Sequence, residues 1–229
     1  MKDMLIKVCG MREPDNIRAA SDLDIDLMGF IFWKGSSRYV SNIPLHAGII
    51  PDRANAAIND NVAGSKIKRV GVFVDEMPQT VITQVYNYHL DYVQLHGDES
   101  AVYIENLKRT LIPDIAPDIK VIKALSIREA DDVKRWRDYH GVTDMLLFDT
   151  KCSSVGGSGR KFDWSALDAY DGDIPFLLSG GIGPDDADEV LAFRHPQCAG
   201  IDVNSKFESA PAVKDIDKLR VFIDKIRSK

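Results

Sequence analysis

Apolar residues recur along the chain in eight short runs: LIKVCG (5–10), LMGFIF (27–32), KRVGVFV (68–74), DYVQLHG (91–97), KVIKAL (120–125), MLLFDT (145–150), PFLLSG (175–180) and AGIDVNS (199–205). Each is rich in Val, Ile, Leu or Phe and too short for a buried helix, which is the look of a strand covered on both faces. The segments between them read as helices. Ile216, Leu219, Phe222, Ile223 and Ile226 mark one face of a final helix. Asp163 is a cap for a helix through Ala169, and Pro184 suits a first helical position followed by Asp185 and Asp186. Ser100 to Arg109 and Ile127 to Tyr139 also carry helical signals. The segment from Pro44 to Lys66 is the least readable, because Pro51 and Gly64 interrupt the helix expected there.

Strict alternation of strand and helix implies a parallel sheet. Eight units in 229 residues fit a closed (β/α)8 TIM barrel near the short end of its size range. An open doubly wound sheet is the competing arrangement, disfavoured by the eight repeats and by the lack of an early GxGxxG. No linker divides the chain, so residues 1–229 are expected to form a single α/β barrel domain.

Composition narrows the function. The net charge of −6 argues against a nucleic-acid or anionic-membrane surface. No apolar run approaches the roughly 18 residues of a membrane span, and the N-terminus shows no secretory signal. The three cysteines Cys9, Cys152 and Cys198 form no CxxC pair. They read as reduced thiols of a cytoplasmic protein, not as disulfides or a zinc site.

In such a barrel the working face is the C-terminal end of the strands. There the sequence puts Cys9-Gly10, Trp33 to Arg38, Asp75, His96-Gly97-Asp98, Ser126, Asp149, Ser179-Gly180-Gly181 and Asp202 to Ser205. Glycine lets backbone N–H groups converge on an anion. Three neighbouring loops have this character: Gly156, Gly157, Ser158 and Gly159 after strand six, Gly180 and Gly181 after strand seven, and Asp202, Asn204 and Ser205 after strand eight. They suggest a cradle for a sugar phosphate. Asp149 is a candidate general acid if burial raises its pKa; a helix cap or a lysine partner is the plainer alternative. Cys9 becomes a base only as thiolate, and Lys7, on the same face of the strand, is expected to favour that form. A small buried hydrophobe is the ordinary role of a lone cysteine, and Cys152 and Cys198 are read that way. Arg38 could hold a carboxylate in a bidentate fork or be a solvated loop charge. His96 and Asp98 suit an acid–base pair, metal ligands, or a mere turn with a cap from Asp98. Lys123 is expected to point into the barrel, as a carboxylate's partner or as a general acid.

Taken together and in order, KVCG, GFIFWKGSSRYV, VGVFVD, VQLHGDE, VIKAL, FDT…GGSGRKFDW, SGGI and DVNSKFE resemble the phosphoribosylanthranilate isomerase family over residues 6 to 215. The resemblance implies a (β/α)8 barrel acting in tryptophan biosynthesis. The reaction is an Amadori rearrangement of N-(5-phosphoribosyl)anthranilate to 1-(2-carboxyphenylamino)-1-deoxyribulose 5-phosphate, with neither cofactor nor metal. It implies Cys9 as general base, Asp149 as general acid and Arg38 facing the anthranilate. The glycine loops with Asn204 and Ser205 match the phosphate site, and Lys7 and Asp202 join the substrate-binding set. The small phosphorylated substrate would be the partner, with the chain a monomer or homodimer. Lys206 stands where the family often has glycine, and WKGSSR departs from a common proline-containing form. Indole-glycerol-phosphate synthase would use lysine and glutamate, and ribulose-phosphate epimerase two aspartates and metal-binding histidines. A non-catalytic sugar-phosphate barrel would have no need of both Cys9 and Asp149.

Overall fold

A computed structural model describes residues 4–41, 67–150 and 164–228. The expected glycine loop at 156–159, Cys152, the Asp163 cap and the segment 44–66 lie outside the described residues. Eight parallel strands close into a barrel in sequence order: β1 (Leu5–Val8), β2 (Leu27–Ile31), β3 (Lys68–Phe73), β4 (Tyr92–Leu95), β5 (Lys120–Ile127), β6 (Met145–Thr150), β7 (Phe176–Ser179) and β8 (Cys198–Val203). The closure is the pairing of β8 with β1, in which Leu5 stands opposite Gly200 and Lys7 opposite Asp202. A closed barrel leaves no sheet edge, and its strands must then be apolar on both faces.

The two faces bury different cores. Inside the barrel, Leu27, Val70, Ile122, Met145, Leu147 and Leu177 pack into the lower layers. Outside, Ile6, Val8, Phe30, Phe73, Phe148 and Phe176 meet the helices in a second, larger cluster. Each fully buried side chain of this size contributes about 1.5–3 kcal/mol of burial free energy.

The helices are α1 (Pro14–Ser21), α2 (Pro78–Tyr88), α3 (Ala101–Asp114), α4 (Ala130–Val133), α5 (Ala187–Ala192) and α6 (Ile216–Arg227). Proline opens α1 and α2, where its missing N–H costs nothing. Ser100 caps α3 by accepting from the Tyr103 N–H at 3.2 Å, and Asp215 caps α6 through Lys218 N–H at 3.1 Å. Ile216, Leu219, Phe222, Ile223 and Ile226 of α6 pack on the core as their spacing predicts.

One local expectation is corrected and two are made finer. Ile127 belongs to β5, and the helix drawn from it shrinks to α4 followed by a 3-10 turn over Lys134–Tyr139. Trp164–Ala169 is 3-10, not α. Pro184 does open a helical segment, first as 3-10 over Pro184–Asp186 and then as α5. A further element went unseen in the sequence: an antiparallel hairpin of β9 (Glu208–Ala210) and β10 (Val213–Lys214) follows β8.

Candidate active site

The C-terminal mouth of the barrel encloses a cavity of about 200 Å³. Cys9 enters it from the end of β1, Asp149 from β6, and Ser179, Gly180 and Gly181 from the end of β7. Gln94, His96, Asp202, Asn204, Ser205 and Lys206 complete its polar wall, and Ile31, Val72 and Ile182 its apolar one. Alternation of side chains along a strand explains the membership. Asp149 sits two residues above Leu147 of the interior core, and Gln94 two above Tyr92, which packs against the same cluster.

Beneath Cys9 lies a buried ion pair. The Lys7 ammonium donates to Asp202 Oδ1 at 2.8 Å, and Ser179 Oγ donates to Asp202 Oδ2 at 3.1 Å. Lys7 is fully buried and does not line the cavity. Read in the sequence as a substrate contact, it has its ammonium held by Asp202 beneath the cavity. Burial opposes charge on Lys7, but Asp202 and then Cys9 outweigh it, and its pKa is raised.

Lys7 acts on the Cys9 thiol in the expected sense but does not act alone. Burial pushes the Cys9 thiol up, Lys7 pulls it down, Asp202 pushes it up again and Lys214 pulls it down. The result lies above the ordinary thiol value. Burial is the largest cause, and Asp202 offsets part of what Lys7 contributes.

Across the cavity, His96 Nε2 lies 3.5 Å from Asp149 Oδ2, and its Nδ1 lies 3.0 Å from Gln94 Nε2. With the Gln94 amide assigned as donor to Nδ1, the imidazole proton sits on Nε2, directed at the carboxylate. His96 thus joins the surroundings of Asp149. Asp98 is not the helix cap: its N–H donates to Asp75 Oδ1 at 2.7 Å, and Ser100 caps α3.

Lys123 does not point into the barrel. Its neighbours Ile122 and Ala124 do, so Lys123 faces the helix layer. There its ammonium meets Glu99 Oε2 at 2.9 Å and the Gly97 carbonyl at 2.6 Å. Glu99 in turn accepts from the N–H groups of Asp75 and Gly97. This buried pair braces the turn that carries His96; it is not at the cavity.

Gly180 and Gly181 both have positive φ, +99° and +71°, a backbone state that favours glycine and that lets successive N–H groups converge on an anion. Ser205, Lys206 and Asn204 lie on the adjoining wall. Asp202, also read as a binding residue, lines the cavity but has its oxygens held by Lys7 and Ser179.

Arg38 does hold a carboxylate in a bidentate fork, and the carboxylate is the protein's own. Its Nε donates to Glu208 Oε1 at 2.7 Å and its Nη2 to Glu208 Oε2 at 2.6 Å. Glu208 and its neighbour Lys214 were not singled out in the sequence. Gln94 was missed too, although its position two residues before His96 in VQLHG puts both on one face of β4.

Among the described residues, no group of three or more His, Cys, Asp or Glu is arranged to hold a metal ion, and no helix is long and apolar enough to cross a membrane.

A closed parallel barrel with a thiol and a carboxylate lining one C-terminal cavity has the architecture of the (β/α)8-barrel enzymes. Residues 6–225 match the family described as N-(5'phosphoribosyl)anthranilate (PRA) isomerase. The N-(5'-phosphoribosyl)anthranilate isomerase of Parabacteroides distasonis is 44% identical over 223 residues, which cover 97% of this chain and 93% of that one. A phosphoribosyl anthranilate isomerase solved in complex with reduced 1-(o-carboxyphenylamino)-1-deoxyribulose 5-phosphate superposes with a TM-score of 0.71 at 26% identity, covering 99% of this chain and 100% of its own. Monomers derived from the dimeric enzyme of Thermotoga maritima superpose with a TM-score of 0.70, also at 26% identity and with the same coverage. The chain belongs to the N-(5'-phosphoribosyl)anthranilate isomerase family, whose members are isomerases of tryptophan biosynthesis.

Proposed function

We propose that this barrel, acting as a single domain over residues 1–229, rearranges N-(5-phosphoribosyl)anthranilate to 1-(2-carboxyphenylamino)-1-deoxyribulose 5-phosphate, with Cys9 as general base and Asp149 as general acid. The observation that carries the reading is that these two side chains, from β1 and β6, line one cavity at the mouth, with an anion-suited backbone at Gly180 and Gly181 beside them.

Asp149 gives its proton to the furanose ring oxygen. The anilino nitrogen's lone pair moves into the C1–N bond as the C1–O bond breaks, leaving the protonated Schiff base. The Cys9 thiolate takes the proton from C2, the C2–H electron pair forms the C1–C2 double bond of the enolamine, and the second pair of the C1–N double bond returns to nitrogen. Transfer of the C2 hydroxyl proton to C1 yields the ketone. Each acid–base step of this kind is worth roughly 10²–10⁴-fold. His96, 3.5 Å from Asp149, orients the acid.

Gly180, Gly181, Asn204, Ser205 and Lys206 serve the 5'-phosphate, with Gly156, Gly157, Ser158 and Gly159 expected to complete the cradle from outside the described residues. Arg38 faces the aryl carboxylate. The mechanism calls on neither cofactor nor metal. A cytoplasmic monomer or homodimer fits this reading, with support from the dimeric relative of Thermotoga maritima from which monomers have been generated. Loss of anthranilate-type fluorescence as fresh substrate is consumed tests the activity. Rapid turnover is expected, and binding of a product analogue without turnover would overturn it.

A further inference from the structure

The hairpin β9–β10 looks like a surface appendage, yet its two charged register partners, Lys214 and Glu208, are almost entirely enclosed. Glu208 Oε1 accepts at once from Arg38 Nε at 2.7 Å, Lys214 Nζ at 2.6 Å and the Ala212 N–H at 3.3 Å. Lys214 Nζ also donates to Asn204 Oδ1 at 2.8 Å and to the Asn204 carbonyl at 3.3 Å. The backbone of Lys214 is pinned to α1 by a two-way exchange with the Asn16 amide, at 2.7 and 2.8 Å.

The cluster sits over Cys9. Gly10, the next residue, has φ +78°, and a Cβ there would lie 2.7 Å from both Arg38 Cδ and Asn204 Oδ1. Arg38 and Asn204 therefore leave no room for a side chain at the residue that follows the thiol. The charge count sets this cluster apart from the other buried pairs. Lys7 with Asp202 and Lys123 with Glu99 are each neutral. Arg38, Glu208 and Lys214 set two basic groups against one carboxylate, and burial lowers the pKa of Lys214 although Glu208 and Cys9 raise it in part. A buried excess charge is costly, and it is least costly where an anion comes to meet it. Two anions are due at this wall: the Cys9 thiolate and the aryl carboxylate of the substrate.

We propose that Glu208 and Lys214 are positioning residues for the isomerisation: Glu208 aims Arg38 at the substrate's carboxylate, and Lys214 holds the Asn204 loop while lending its charge to the Cys9 thiolate. The claim about the carboxylate rests on the functional reading above. Glu208 engages Nε and Nη2 of Arg38, so the guanidinium turns its Nη1 edge to a ligand. The groups around Cys9 are Lys7 beneath it on β1, Asp202 on β8, Arg38 after β2, and Lys214 on β10 with Glu208 opposing the last two. Asp149 and His96 face it across the cavity. Of these, Lys214 and Lys7 favour the thiolate most directly, and Lys214 is the one whose removal leaves the Lys7–Asp202 floor intact.

The test uses the full chain in a background where Cys152 and Cys198 are serine, so that iodoacetamide reports Cys9 alone. Lys214→Met is expected to raise the alkylation midpoint by about one unit and Lys214→Arg to restore most of it. Glu208→Gln is expected to lower the midpoint, since two cations then stand without their carboxylate. The same variant should weaken binding of a reduced product analogue about tenfold, while leaving unchanged the binding of its phenylamino counterpart, which lacks the carboxylate. Midpoints unmoved in both variants, with equal losses for the two analogues and a lowered Tm, would make the hairpin a structural staple and overturn the proposal. Alkylation needs no turnover, so an inactive wild type would refute the isomerase reading without touching the Cys9 result. If Lys214→Met fails to fold, Glu208→Gln alone decides, by the direction of its midpoint and the contrast between analogues.

Discussion

Lys7 and Asp202 stand opposite each other where the barrel closes, β1 against β8, and their side chains meet at 2.8 Å in the interior. The pair is the floor on which Cys9 rests. Because Asp202 is also held by Ser179, each Asp202 oxygen has a partner.

Removing either half of this pair leaves a charge in the barrel. Lys7→Met or Asp202→Asn should destabilise the protein by about 3–5 kcal/mol. The double variant should lose less than the sum of the two. Urea denaturation of the three variants checks this; additive losses would mean that the pair is not coupled.

The two described thiols should differ in reach. Burial pushes Cys198 up to about 11, and Cys9 is also raised but opens on the cavity. Alkylation of Cys9 in the empty enzyme should have its midpoint above the free-cysteine value of about 8.5. A product analogue should protect Cys9 and not Cys198. Mass mapping of the labelled peptides against pH measures both; a Cys9 midpoint below 8.5 would contradict the burial argument.

Gly10 and Gly181 both have positive φ, but they differ in their surroundings. A Cβ on Gly181 meets nothing within 4 Å, and one on Gly10 meets Arg38 and Asn204. Gly181→Ala should cost about 1 kcal/mol from backbone strain alone. Gly10→Ala should cost about 1–3 kcal/mol more, because neighbours must shift, and should lower kcat/KM as well. Thermal melts and kinetics on the two variants separate strain from collision.

Burial pushes the Glu208 carboxyl up, but hydrogen bonds from Arg38 and Lys214 pull it below its ordinary value. A depressed carboxyl contributes stability above its unfolded pKa, about 4.3, and that contribution is lost as pH falls through the folded value. Wild type should therefore lose stability steeply below about pH 4.3, and Glu208→Gln should lose less over the same range. Denaturation midpoints from pH 6 to pH 3 measure the difference; parallel curves would place the carboxyl's shift elsewhere.

The eight strands were legible because a parallel barrel strand is apolar on both faces and ends in a polar or glycine turn, as KVCG, MLLFD and PFLLSGG do. That same two-sided apolarity hid which residues face inward. VIKAL is apolar on either side of Lys123, so nothing in it tells the interior from the helix layer, and Lys123 was turned the wrong way. Short range was the second limit. Cys9 and Asp149 sit at the ends of readable strands, whereas Arg38 finds Glu208 at a separation of 170 residues. The hairpin that carries Glu208 and Lys214 has strands of three and two residues, too short to show a period. In ESAPAVK the two charges look like solvated loop residues, and only the folded chain brings them under cover beside Cys9.

The central claim is that Cys9 and Asp149 act as base and acid on one substrate. The most direct measurement is single-turnover consumption of phosphoribosylanthranilate by wild type, Cys9→Ala and Asp149→Asn, with product-analogue affinity measured in parallel. The account predicts a rate loss of at least about 10²-fold in each variant, with affinity held within a few-fold of wild type. Retention of near-wild-type rate by either variant, with its affinity unchanged, would contradict the claim.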